Sequence, residues 1–102
     1  MVGLGSVYVR EADEHGIDWR LLPAISLIES SAGLRQRYNN AWGWDSAKTG
    51  FDSWEDGIAY ISERFSVSKI YAGKDTAGIL WAYNGTVRPS YVNDVLSVMD
   101  GI

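Results

Sequence analysis

The chain contains no cysteine, which excludes disulfides and thiolate metal sites together. It has one histidine, His15, and scattered acids, a pattern with no ligand spacing, so neither a metal nor a cofactor is expected. Basic residues are few: nine Lys and Arg stand against thirteen Asp and Glu, a formal charge of −4. That balance argues against a nucleic-acid partner, whose phosphate backbone calls for clustered cations. A carbohydrate partner stays open, because sugars are held by hydrogen bonds and stacking. No apolar run approaches the length of a membrane span. The opening "MVGLGSVYVR" lacks the basic flank and long apolar region of a signal peptide.

What is present bounds the chain to one globular domain, 1–102, with a single modest core: 102 residues, 46% hydrophobic and 22% charged. Five Trp and six Tyr exceed the needs of such a core. Some of them are expected at a surface that binds something flat.

Helical periodicity dominates. Residues 4–14 form a first helix, with Leu4, Tyr8 and Ala12 on one side and Gly16 as its stop. Asp18 can cap a second helix that runs to about Ser31, where Gly33 follows; Pro23 leaves its start open. In "FDSWEDGIAYISERFSVSKI", Ser53 and Asp56 resemble a capping box, and Trp54, Ile58, Ile61 and Phe65 make a continuous stripe. Glu55, Asp56 and Glu63 fall on the solvated face. A shorter helix covers "TAGILWAY", capped by Thr76, with Trp81 read as core or core edge. The last begins near Ser90 with Tyr91, Val95, Val98 and Ile102 on one face. The expected fold is mainly α: about five helices and one long polar loop over 34–52, with room for a short β-hairpin near 40–52.

The second helix carries the question of function. At about 100° per residue, Leu21, Ile25, Ile28 and Ala32 cluster, and Glu29 projects on their flank between Leu22 and Ile25. Leu27 lies opposite, so this helix is expected to be covered on more than one side. Apolar surroundings raise a carboxyl pKa, and an acid still protonated near neutrality can act as a general acid. The plain alternative is a rim carboxylate, wet or paired with Arg35 or Arg37. The loop that follows, "NNAWGW", supplies amides, a glycine for close backbone approach and two indoles, a set suited to an amino-sugar polymer. Trp42 and Trp44 straddle Gly43, so one should pack inward and the other face the ligand.

"LLPAISLIESSAG", then "NNAWGW", "FDSWEDGIAYIS" and a late "AYNG", resemble the lysozyme superfamily over 15–102, most nearly the bacterial glucosaminidase-like and lytic-transglycosylase-like peptidoglycan hydrolases. The resemblance implies a lysozyme-like helical domain with Glu29 as the single catalytic acid and Tyr83 close to it. It also implies that Ser30, Asn40, Trp42, Gly43, Trp44 and Asn84 meet the glycan. Ala41 completes the Asn-Ala-Trp-Gly stretch, and "YNG" lacks the Ala of the transglycosylase "YNAG". The expected activity is cleavage of β-1,4 bonds in peptidoglycan, by hydrolysis or with a 1,6-anhydro product. The alternative is a catalytically inactive glycan-binding or structural domain of the same fold. Asp45 and Asp52 are the only loop acids with a chance of serving as a second carboxylate, and solvation or capping is the simpler use of each. A monomer acting in the cell envelope is expected, its leader or parent chain lying outside this sequence.

Overall fold

The computed structural model describes residues 3–30, 42, 44 and 50–102. The side chain of Ser30, the residues Asn40, Ala41, Gly43 and Asp45, and most of the span expected to hold a hairpin lie outside the described residues. Within them the chain is all helical: α1 (Gly5–His15), α2 (Leu21–Ser30), α3 (Trp54–Val67), α4 (Thr76–Leu80) continued by a π-turn (Trp81–Gly85), and α5 (Tyr91–Asp100).

Each helix ends for a local reason. Gly16 takes the left-handed conformation (φ +69°) and returns its N–H to the Ala12 carbonyl, closing α1. Asp18 does not cap α2 directly. Its carboxylate accepts from the Arg20 backbone N–H at 3.0 Å and pairs with the Arg20 guanidinium at 2.9 Å, which holds its pKa below the usual carboxylate range. Arg20 Nη1 also donates to the Met99 carbonyl at 3.3 Å, tying the start of α2 to the end of α5. Ser53 caps α3 by accepting from the Asp56 N–H at 3.1 Å. The cap of α4 is Asp75, whose carboxylate accepts from the Gly78 N–H at 2.8 Å, one residue before the expected Thr76.

Helix α1 packs on α3, α2 packs on α5, and α4 with its π-turn packs on α5. The core between them holds Leu21, Ile25, Ile58, Ile61, Leu80 and Val95, all with no exposed surface. Burying an aliphatic side chain of this size is worth about 1.5–3 kcal/mol, so the apolar stripes of α2, α3 and α5 carry the fold. The α3 stripe holds as read, with Ile58, Ile61 and Phe65 buried and Trp54 at its edge; Glu55, Asp56 and Glu63 face solvent. On α5 the stripe is Tyr91, Val95 and Met99; Val98 is half-buried and Ile102 is exposed, because the one-turn spacing of four residues runs to Met99. Leu27 is 49% exposed, so α2 is not covered on the side away from the core. Among the described residues no helix is long and apolar enough to cross a membrane.

Candidate functional site

Glu29 sits in the last turn of α2, and α5 and the turn leading into it bring Tyr91 and Arg88 to it. As a residue it is exposed, a rim position and not a buried one. Its carboxyl still lies far enough into the protein for burial to push its pKa up from the ordinary value. The Tyr91 hydroxyl and the Arg88 guanidinium act in the opposite direction, favouring the charged form. The result is a solvent-reachable acid whose proton is held more firmly than usual.

Tyr91 was not singled out from the sequence as a site residue. It is fully buried, and its Oη has no formed hydrogen bond among the described residues. The same hydroxyl is nonetheless coupled to Glu29: burial first, and the neighbouring carboxylate second, push the phenol pKa up. The pair is close enough to interact and stops short of a closed hydrogen bond. The signal in the sequence was its place on the core face of the last helix, and that place reads as packing.

Tyr83 reaches the same cluster from the π-turn. Its hydroxyl donates to the Trp42 carbonyl at 2.6 Å and not to Glu29. Burial raises its pKa most, followed by coupling to the titrating groups of Tyr91 and Glu29, which places it within electrostatic reach of the acid. The bond to Trp42 fixes the position of the phenol: the turn Trp81–Gly85 opens by one residue, with the Thr86 N–H returning to the Trp81 carbonyl at 3.2 Å, five residues back. Asn84 sits half-buried on the same turn, and its backbone carbonyl accepts from Val87 and Arg88.

Of the two indoles, Trp42 packs inward, and Trp44 is half-buried against the edge of the core. Trp42 has no exposed surface, so its ring offers no face for stacking on a sugar; as a stacking residue it is corrected to a wall. The wall is seated by Gly57 of α3, where a Cβ would stand 2.5 Å from Trp42 Cζ3. Tyr8 from α1 completes the enclosure, its hydroxyl near Trp42 and Ser26 and its pKa pushed up to about 12 by burial. Trp44 is half-buried and stacks on Tyr83 (5.9 Å between centroids, 29°), which stacks in turn on Tyr91 (6.2 Å, 24°). Phe65 and Tyr71 close one side of this ladder. Arg88 ends it, with its guanidinium carbon 5.9 Å from the Tyr91 ring centroid.

Other aromatics face outward: Trp19 is 40% exposed, Tyr60 46% and Trp81 48%, so Trp81 is not core. On the opposite helix pair, His15 is less exposed than a turn residue would be. Its Nδ1 lies 3.4 Å from Ser66 Oγ, and its Nε2 lies 3.9 Å from Glu11. Glu11, Glu14 and His15, at i, i+3 and i+4 of α1, bring one ligand atom each to within 4.8 Å of one another. Glu11 is already paired with Arg10 Nε at 3.1 Å. Asp52 is exposed.

No protein-family model matches the chain, and no curated protein matches it.

Proposed function

We propose that the chain cleaves β-1,4 glycosidic bonds in peptidoglycan or a related N-acetylated amino-sugar polymer of the cell envelope, with Glu29 as its single acid and base. One observation carries this reading. The carboxyl of Glu29, partly withdrawn from water and raised in pKa although the residue as a whole is exposed, is joined by Tyr83 and Tyr91, from two separate elements, and by Arg88 in a single aromatic-lined cluster. The resemblance of "IES", "NNAWGW" and "AYNG" to the lysozyme superfamily gives the cluster its chemistry. Glycosidases usually place two carboxylates about the scissile bond; a single acid suffices where the substrate's own 2-acetamido group stabilises the developing positive charge.

In the first step Glu29 gives its proton to the glycosidic oxygen as the C1–O bond breaks, and the acetamido oxygen closes on C1. In the second, the attacking hydroxyl oxygen bonds to C1 as the acetamido O–C1 bond breaks, and the carboxylate takes that hydroxyl's proton, which restores the acid. Water as that hydroxyl gives hydrolysis; the sugar's own 6-hydroxyl gives a 1,6-anhydro end. Tyr91 is a positioning residue, holding the carboxylate by an approach that tightens as charge develops. Trp44, half-buried, is the indole of the pair that keeps surface for a sugar ring to meet.

The test is digestion of purified peptidoglycan by the wild type and Glu29→Gln, with products read by mass spectrometry. Cleavage by the wild type, lost in the variant by a factor of at least about 10², supports the acid role, and the mass of the new end separates the two outcomes. Binding by both proteins without cleavage by either moves the conclusion to a non-catalytic glycan-binding domain.

A further inference from the structure

We propose that Arg88 is the specificity determinant of this site, reading a carboxylate carried by the glycan beside the bond that Glu29 attacks. The inference rests on the glycan reading above and goes beyond it by assigning the substrate a charge. Arg88 is pinned on both sides: its N–H donates to the Asn84 carbonyl at 2.9 Å, and its own carbonyl accepts from the Tyr91 N–H at 2.9 Å. The side chain lies over the Tyr91 ring, 5.9 Å from its centroid, and Nη2 pairs with Asp94 Oδ2 at 2.8 Å. It is nonetheless half exposed, 51%, with Asp94 at 42%.

A guanidinium has five N–H donors in a fixed fork, and Asp94 engages one nitrogen of it. A ring on one face and a carboxylate on one corner orient the fork without filling it. A second carboxylate can be gripped through the remaining donors, in the two-point geometry that lysine cannot offer. The protein as a whole is acidic, with a net charge of −4, so an anionic glycan needs a fixed cation such as this one to offset the long-range repulsion. A neutral polymer gains nothing from Arg88. The group recognised is therefore an acid on the sugar's ether substituent, either the free lactyl carboxylate or one on a peptide attached there.

The measurement uses the full chain carrying Glu29→Gln, so that nothing turns over, against three ligands titrated by calorimetry. These are peptide-stripped glycan with free lactyl carboxylates, the same glycan with its peptides, and a neutral N-acetylglucosamine oligomer. Adding Arg88→Gln is expected to weaken one or both anionic ligands by about tenfold or more, with the neutral oligomer shifting less than about twofold. Arg88→Lys should recover only part of the loss. Which anionic ligand responds identifies the source of the carboxylate. Asp94→Asn leaves the guanidinium in place and removes its internal competitor, so it is expected to tighten the anionic ligand severalfold; this arm also decides the matter if Arg88→Gln fails to fold. Equal loss for all three ligands, or no loss for any, overturns the role of Arg88 and leaves the glycan reading standing. Failure of Glu29→Gln to bind any glycan overturns both.

Discussion

Adding one methyl group at Gly57 should damage the site from the far side of the helix that supports it. The new Cβ would stand 2.5 Å from Trp42 Cζ3, 3.0 Å from Trp42 Cη2 and 2.9 Å from Phe51 Cδ2. Ordinary contact starts at 3.4 Å, so the indole has to retreat by about 0.9 Å. Trp42 has no exposed surface and its ring meets Phe51 edge-on, so it has nowhere to go without moving neighbours. Overpacking of this kind costs about 1–3 kcal/mol. The usual gain from replacing a helical Gly by Ala returns about 1 kcal/mol. The net expectation for Gly57→Ala is a loss of about 1 kcal/mol, or roughly 4–8 °C in melting temperature for a domain of this size. Because the Trp42 carbonyl holds the Tyr83 hydroxyl, any cleavage activity should fall as well. Gly85→Ala is the matched control: its Cβ would stand 2.7 Å from Trp81 Cε3, but Trp81 is 48% exposed and can swing into solvent. Thermal unfolding followed by circular dichroism compares the two. A Gly57→Ala protein as stable as the wild type, or one no worse than Gly85→Ala, refutes the reasoning.

Two further outcomes follow from Glu29 and its neighbour. Tyr91→Phe removes a buried hydroxyl that makes no formed hydrogen bond among the described residues, so stability should change by less than about 1 kcal/mol. The same change takes from Glu29 a donor that favours its charged form, so the alkaline limb of the pH–rate profile, where Glu29 loses the proton it must donate, should move to higher pH. An unmoved profile argues against Tyr91 as a positioning residue. For stability, the folded pKa of Glu29 lies above its unfolded value, so the native state binds the proton more tightly. The contribution is whole below the unfolded pKa and is lost as pH rises through the folded pKa. Glu29→Gln has no such loss. Its melting temperature should gain on the wild type as pH rises from 4 to 8, and a difference that is flat or shrinks over that range contradicts the raised pKa.

The helices were legible because their determinants are local. Gly16, the Ser53 cap and the stripe of Ile58, Ile61 and Phe65 each act within a turn or two, and each appears where periodicity puts it. The misreadings have the opposite character. Leu27 was assigned a cover on the strength of being apolar, yet an apolar residue at the surface is ordinary and carries no pattern. Ile102 was continued from Val98 when the buried row of α5 runs through Met99.

The candidate site was legible only in part, and the π-turn explains why. A regular helix advances about 100° per residue, so a periodic reading from Ile79 sets Trp81 about 200° away, brings Tyr83 back to the core side as a packing residue and turns Gly85 outward. Widening the turn by one residue breaks that phase between Leu80 and Gly85. Trp81 is left to solvent, and Gly85 is buried beneath its ring, where no side chain would fit. Tyr83 is fixed between Trp44 and Tyr91, its hydroxyl engaged by a carbonyl 41 residues earlier in the chain. The short pattern Tyr-Asn-Gly marks the place in the sequence, but the arrangement depends on a backbone departure that periodicity cannot represent. Arg88 comes next in the chain and is held to that departure by the Asn84 carbonyl, and the Tyr91 N–H is held in turn by the Arg88 carbonyl. The acid on α2 and the cation before α5 thus share one environment because a helix between them does not stay regular.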